Sequence, residues 1–153
     1  MRDKETAVEE PRGRQTRDGI SIYEPADFAG MHKAGRLAAD ILDRVAALVE
    51  PGVTTEVLDD FIRGAVEAAG AVSATIGYRG YQHASCISVN HVVCHGIPGP
   101  KVLKDGDILN IDVTVIVDGW YGDTSRMYVA GTLGRKAERL IQVTHDALML
   151  GIE

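Results

Sequence analysis

The stretch Asp112-Val-Thr-Val-Ile-Val-Asp-Gly-Trp-Tyr-Gly-Asp123 constrains this chain more than any other. Residues 108–117 are nearly all strand formers, and 120–129 read as a second strand. Asp118-Gly119 between them supplies the two positive φ angles of a two-residue type I′ turn. That turn sets the register. Val117 pairs with Trp120 and Thr114 faces Asp123, so Asp112 is the diagonal neighbour of Asp123 on one face, with backbones roughly 7–8 Å apart. The other face carries Ile111, Val113, Val115, Val117 and Trp120, a core-facing set. Two carboxylates inside so apolar a ribbon are costly unless compensated, and a divalent metal ion compensates both. The competing reading is a pair of solvated hairpin aspartates. Asp118 is read as a turn residue only.

The 153 residues suffice for one domain that buries roughly 68–70% of its unfolded surface. A net charge of -6 and the absence of any Lys/Arg-rich run argue against nucleic-acid binding. No apolar run approaches the ~20 residues of a membrane span, and the N-terminus has no apolar signal segment. Cys86 and Cys94 are too few for a zinc knuckle or a disulfide scaffold, so a reduced, cytoplasmic setting is expected.

Residues 1–19 are densely charged and poor in large apolar groups, which predicts a disordered arm ahead of one folded unit over 20–153. Asp27 is expected to cap a first helix whose apolar positions run from Met31 through Ala34, Ala38, Ile41, Leu42 and Val45 to Leu48. Pro51-Gly52 stops it. Thr54 or Thr55 caps a second helix carrying Leu58, Phe61, Ile62, Ala65 and Val66, ended by Gly70. The loop Gly77-Tyr-Arg-Gly-Tyr81 leads to a strand at Cys86–Val89, and Val92–Cys94 reads as another. His95-Gly-Ile-Pro-Gly-Pro-Lys101 is irregular. After the hairpin, a third helix over 136–152 carries Ala137, Leu140, Ile141, Thr144, Leu148 and Met149 at helical spacing. It reaches the last residues without a capping glycine or trailing loop, which reads as an interruption.

Two segments carry a resemblance. Cys86-Ile-Ser-Val-Asn-His-Val-Val-Cys-His-Gly-Ile-Pro98 and Leu103-Lys-Asp-Gly-Asp-Ile-Leu-Asn-Ile-Asp112, continued through Asp123-Thr-Ser, closely resemble type I methionine aminopeptidases. The similarity extends over the two-helix segment and the Gly77–Tyr81 loop. It implies an α/β (α+β) pita-bread fold, two similar halves around a metal site, of which this chain has the N-terminal one: two helices, antiparallel strands with the hairpin, and the start of a third helix. It implies removal of the initiator methionine from new polypeptides with one or two divalent ions (Co²⁺, Mn²⁺, Fe²⁺ or Zn²⁺; two in a complete site). Carboxylate-rich sites select hard or borderline ions of this kind.

By the same resemblance Asp112 and Asp123 are metal ligands, and His95 contacts the substrate and steadies the transition state. Tyr78, Tyr81 and Cys86 line the pocket for the methionine side chain. The implied partners are N-terminal methionyl peptides of nascent chains, met at the ribosome, with no membrane involved. Read from the residues alone, His95 is also consistent with an exposed loop histidine, Cys86 with plain core, and the two tyrosines with loop packing. His83, His91 and His145 are expected to have no site role, and Cys94 to be core.

Two departures stand out. Gln82 and His83 occupy positions where the family usually has proline and often lysine. The resemblance also implies three further ligands, one histidine and two glutamates, which this sequence does not reach. The alternative expectation is therefore a truncated, inactive fragment or a non-enzymatic binding module of the same ancestry.

Overall fold

The computed structural model describes residues 13–153. Of the arm expected over 1–19, residues 1–12 lie outside the described residues. The rest is not featureless: β1 (Arg14–Gln15) pairs antiparallel with β2 (Ser21–Ile22).

Helix α1 spans Phe28–Val45 and ends in a 3-10 turn at Ala46–Leu48, before Pro51. It buries Ala34, Ala38, Ile41, Leu42 and Val45, the 3–4 spacing that faces one side of a helix. Asp27 occupies the N-cap position but does not cap the helix. Its carboxylate instead accepts the Glu24 N–H (2.9 Å), fixing the turn that delivers the chain to α1. Helix α2 (Thr55–Ala68) is capped as expected, Thr54 accepting the Val57 N–H (3.3 Å). Its buried face holds Leu58, Ile62, Ala65 and Val66, and also the carboxylate of Asp59.

The sheet is organised around β5 (Asp107–Val117). Along one edge runs β6 (Trp120–Ala130) in an eleven-residue antiparallel register. The other edge is shared: β4 (Ser85–Val89) pairs with residues 109–113, and β3 (Val72–Ser73) with 115–116. Leu109, Ile111, Val113 and Val115 are fully buried, forming one core with α1 and α2. Each such side chain contributes roughly 1.5–3 kcal/mol of transfer free energy. Asn110, Asp112 and Thr114 necessarily face the other way.

Two expectations fail here. Val92–Cys94 is not a strand: Val93 is 92% exposed and Cys94 is on the surface, not in the core. The Ile87 N–H is taken by the Gly96 carbonyl (2.8 Å), so the chain returns to β4 at Gly96 and arches outward before it. Helix α3 (Arg135–Ile152) forms with its apolar stripe intact but buries none of it; Leu140 and Leu148 are 59% and 61% exposed.

Tyr128 on β6 ties sheet to helix. It is 8% exposed and its hydroxyl donates to the Leu42 carbonyl of α1 (2.6 Å). Burial pushes its phenol from 10.0 up to about 12. The neutral form is thus favoured in the fold, so this contribution is complete below pH 10 and is lost as pH rises from 10 to about 12. Tyr128→Phe is expected to cost about 0.5–1.5 kcal/mol at neutral pH. Urea unfolding at stepped alkaline pH is expected to show that the variant lacks this share of the alkaline loss.

Candidate metal centre and adjoining hollow

The turn joining β5 and β6 has positive φ at both Asp118 (50°) and Gly119 (77°), as type I′ requires. The register follows: Val117 pairs with Trp120, and Thr114 with Asp123. Asp112 lies between Cys86 of β4 and Ser125 of β6. The Thr114 hydroxyl donates to Asp123 Oδ1 (2.8 Å), orienting that carboxylate. Thr114 is a site residue that the sequence shows only through the register.

The carboxylates are less enclosed than the sequence suggests. Asp123 is exposed and Asp112 half-buried. Strand alternation sends Ile111, Val113 and Val115 to the helices, leaving Asn110, Thr114 and Ser125 around the aspartates. Partial burial raises the Asp112 carboxyl above its ordinary range, the Asp123 charge raises it further, and His95 opposes the shift. A cation between the two relieves that repulsion, so this donor set fits a hard divalent ion. Among the described residues, no three His, Cys, Asp or Glu side chains converge on one point.

Beside the aspartates lies a hollow of about 600 Å³, lined by Tyr78, Tyr81, Cys86, His95, Ile97 and Thr114 among others. The four residues singled out from sequence for substrate contact are therefore brought together, and Thr114 joins their hollow to Asp123. Tyr78 forms the rim, 66% exposed, with the Arg79 guanidinium 5.4 Å above its ring. Tyr81 reaches inward and donates to the Ser85 carbonyl (2.8 Å). Burial pushes both the Tyr81 phenol and the Cys86 thiol up, keeping them neutral.

His95 sits at φ 54°, and Gly96 after it lies flush against β4, its N–H donating to Ser88 Oγ (3.0 Å). Nothing in a Gly/Pro-rich segment announces such a clamp. His83, expected to have no site role, stands 3.3 Å from a buried Asp59 oxygen, edge-on to Tyr81.

Residues 29–153 match the model of metallopeptidase family M24. The chain belongs to that family. This M24 chain is 54% identical over 134 residues to the methionine aminopeptidase of Rickettsia prowazekii, covering 88% of itself and 52% of that relative. It is 51% identical over 138 residues to the methionine aminopeptidase of Escherichia coli, covering 87% and 51%. The crystal structure of the Rickettsia prowazekii enzyme superposes with a TM-score of 0.86, at 88% coverage of this chain and 54% of the other. The M24 chain thus has the mixed α/β pita-bread architecture and spans about half the length of the curated relatives it matches. No helix among its described residues is long and apolar enough to cross a membrane.

Proposed function

We propose that this M24 chain contributes two metal ligands and the side-chain pocket to a methionine aminopeptidase that removes the initiator methionine from nascent proteins. The observation that carries the reading is Thr114, which both lines the hollow and holds Asp123. A side chain in the hollow is therefore placed next to the carboxylate pair. Asp112 and Asp123 would hold a divalent ion, Mn²⁺, Co²⁺, Fe²⁺ or Zn²⁺, with a pair of ions in a complete site. When bound, such an ion supplies a Lewis acid for the scissile carbonyl.

The remaining steps belong to the chain's own residues. Tyr81 and Cys86, neutral and partly buried, give an unbranched thioether an apolar, polarizable wall. His95, held on its clamp at the edge of the hollow, hydrogen-bonds the peptide as charge develops on it. The partners on this reading are N-terminal methionyl peptides emerging from the ribosome, in the cytoplasm.

A second reading is favoured by the donor count: two carboxylates leave most of an ion's coordination to other groups. On the 153 residues alone we therefore expect weak ion binding and no turnover. The test is Met-Ala-Ser hydrolysis and Mn²⁺ titration calorimetry on the purified chain. Mn²⁺ heat that disappears in Asp112→Ala and Asp123→Ala, with no hydrolysis, is the expected result. Turnover that either substitution abolishes would overturn the inactive reading. Mn²⁺ binding unchanged by both would overturn the ligand assignment.

A further inference from the structure

Asp59 is 1% exposed, yet it carries a carboxylate into the core side of α2. Oδ1 accepts both the Ser85 N–H (2.8 Å) and the Ser85 hydroxyl (2.7 Å). Oδ2 lies 3.3 Å from His83 Nδ1 and 3.6 Å from the Arg63 guanidinium. A buried carboxylate is tolerated only when its lone pairs are satisfied this fully, and losing a partner costs more than the pair contributes.

The segment Asp59 grips is unusual. Its four consecutive carbonyls are each captured by a different side chain: Gln82 by Arg63 (2.8 Å), His83 by Thr75 (2.7 Å), Ala84 by Ser73 (3.2 Å) and Ser85 by Tyr81 (2.8 Å). Residues 82–85 thus form a strap hung mostly from side chains, and Asp59 holds the Ser85 N–H and hydroxyl at its far end. One residue further on is Cys86, and the Tyr81 hydroxyl is tethered to the strap itself. Both walls of the hollow depend on where the strap sits.

We propose that Asp59 is a positioning residue for the substrate hollow, setting Tyr81 and Cys86 through the 82–85 strap. The proposal deepens the methionine-pocket reading and rests on it for the identity of the ligand. Asp59 touches no substrate. Its effect passes through Ser85.

The test reads Cys86 directly, in a Cys94→Ser background so that one thiol reports. Iodoacetamide alkylation is expected to run roughly tenfold faster in Asp59→Ala, the size of effect that loss of a charged, buried hydrogen-bond acceptor produces. Ser85→Ala, which removes one of the two bonds onto Oδ1, is expected to give a smaller acceleration and serves if Asp59→Ala does not fold. Asp59→Asn keeps an oxygen for Ser85 and is expected to restore a rate close to the parent's. Val57→Gly destabilises the same helix from its exposed face and is expected to leave the rate unchanged. Parent-like alkylation in both Asp59→Ala and Ser85→Ala overturns the proposal, as does equal acceleration in Val57→Gly. Protection of Cys86 by Met-Ala-Ser separates the two readings. Its absence in the parent chain overturns the pocket assignment, while the alkylation comparison still decides Asp59.

Discussion

Gly122→Ala is expected to cost about 3 kcal/mol or more, at the upper end of what overpacking a core produces. Gly122 is buried on β6, opposite Val115, where α1 crosses the strand. A Cβ there would stand 2.2 Å from the Ala34 carbonyl oxygen, 2.3 Å from its carbon and 2.7 Å from the Gly35 nitrogen. All three atoms are helix backbone, so no rotamer change relieves the clash. The helix must retreat as a body, opening the contact that buries Ala34 and Ala38 and drawing Tyr128 from the Leu42 carbonyl. In thermal unfolding followed by circular dichroism, ~3 kcal/mol corresponds to a drop of roughly 6–12 °C for a domain of this size. Gly30→Ala is the informative comparison. The three atoms nearest its Cβ would all belong to the Trp120 ring, a side chain, and the smaller loss should follow. A Gly122→Ala loss below that of Gly30→Ala would show that α1 does not approach β6 as described. Because Asp123 is the next residue, the damage reaches the candidate metal ligand.

Gly96→Ala is expected to release His95. The added Cβ would lie 2.2 Å from the Ile87 carbonyl oxygen and 2.8 Å from the Ser88 Cα. Relieving it breaks two hydrogen bonds, Gly96 N–H to Ser88 Oγ and Ile87 N–H to the Gly96 carbonyl. Each contributes about 0.5–1.5 kcal/mol, and the strained fit adds to the sum, for a loss of about 2–3 kcal/mol. Two measurements check this. The thermal midpoint should fall, and the His95 ring proton signals should no longer shift when Met-Ala-Ser is added. Gly99→Ala, whose Cβ would meet nothing within 4 Å, should do neither. A variant with parent-like stability and an unchanged His95 response would disprove the clamp.

Much of the scaffold was legible because its determinants are local. The β5–β6 register rests on strict alternation and one Asp-Gly turn, and it appears residue for residue. Thr54 caps α2 because its hydroxyl needs only its own backbone three residues ahead. Local signals also misled. Asp27 has the right identity for a cap, but the Glu24 N–H competes for it and wins. Val92–Cys94 has strand-forming residues, yet β4 spends its Ile87 N–H on Gly96 instead. The aspartates looked enclosed in an apolar ribbon, but Asp123 is exposed and Asp112 only half-buried.

By itself, then, the sequence determined what depends on period and short spacing: three helices, the hairpin, and the shared face of Asp112 and Asp123. Its motifs were sufficient to indicate the family. Tertiary structure alone decided what depends on distance between segments remote along the chain. Gly122 matters because α1 passes within a Cβ radius of it, and Gly96 because β4 does. Asp59 matters because Ser85, 26 positions on, returns to it. Such contacts leave no periodic trace, since a close backbone approach selects a residue for the atoms it lacks, and a buried acceptor for a partner the local chain does not contain.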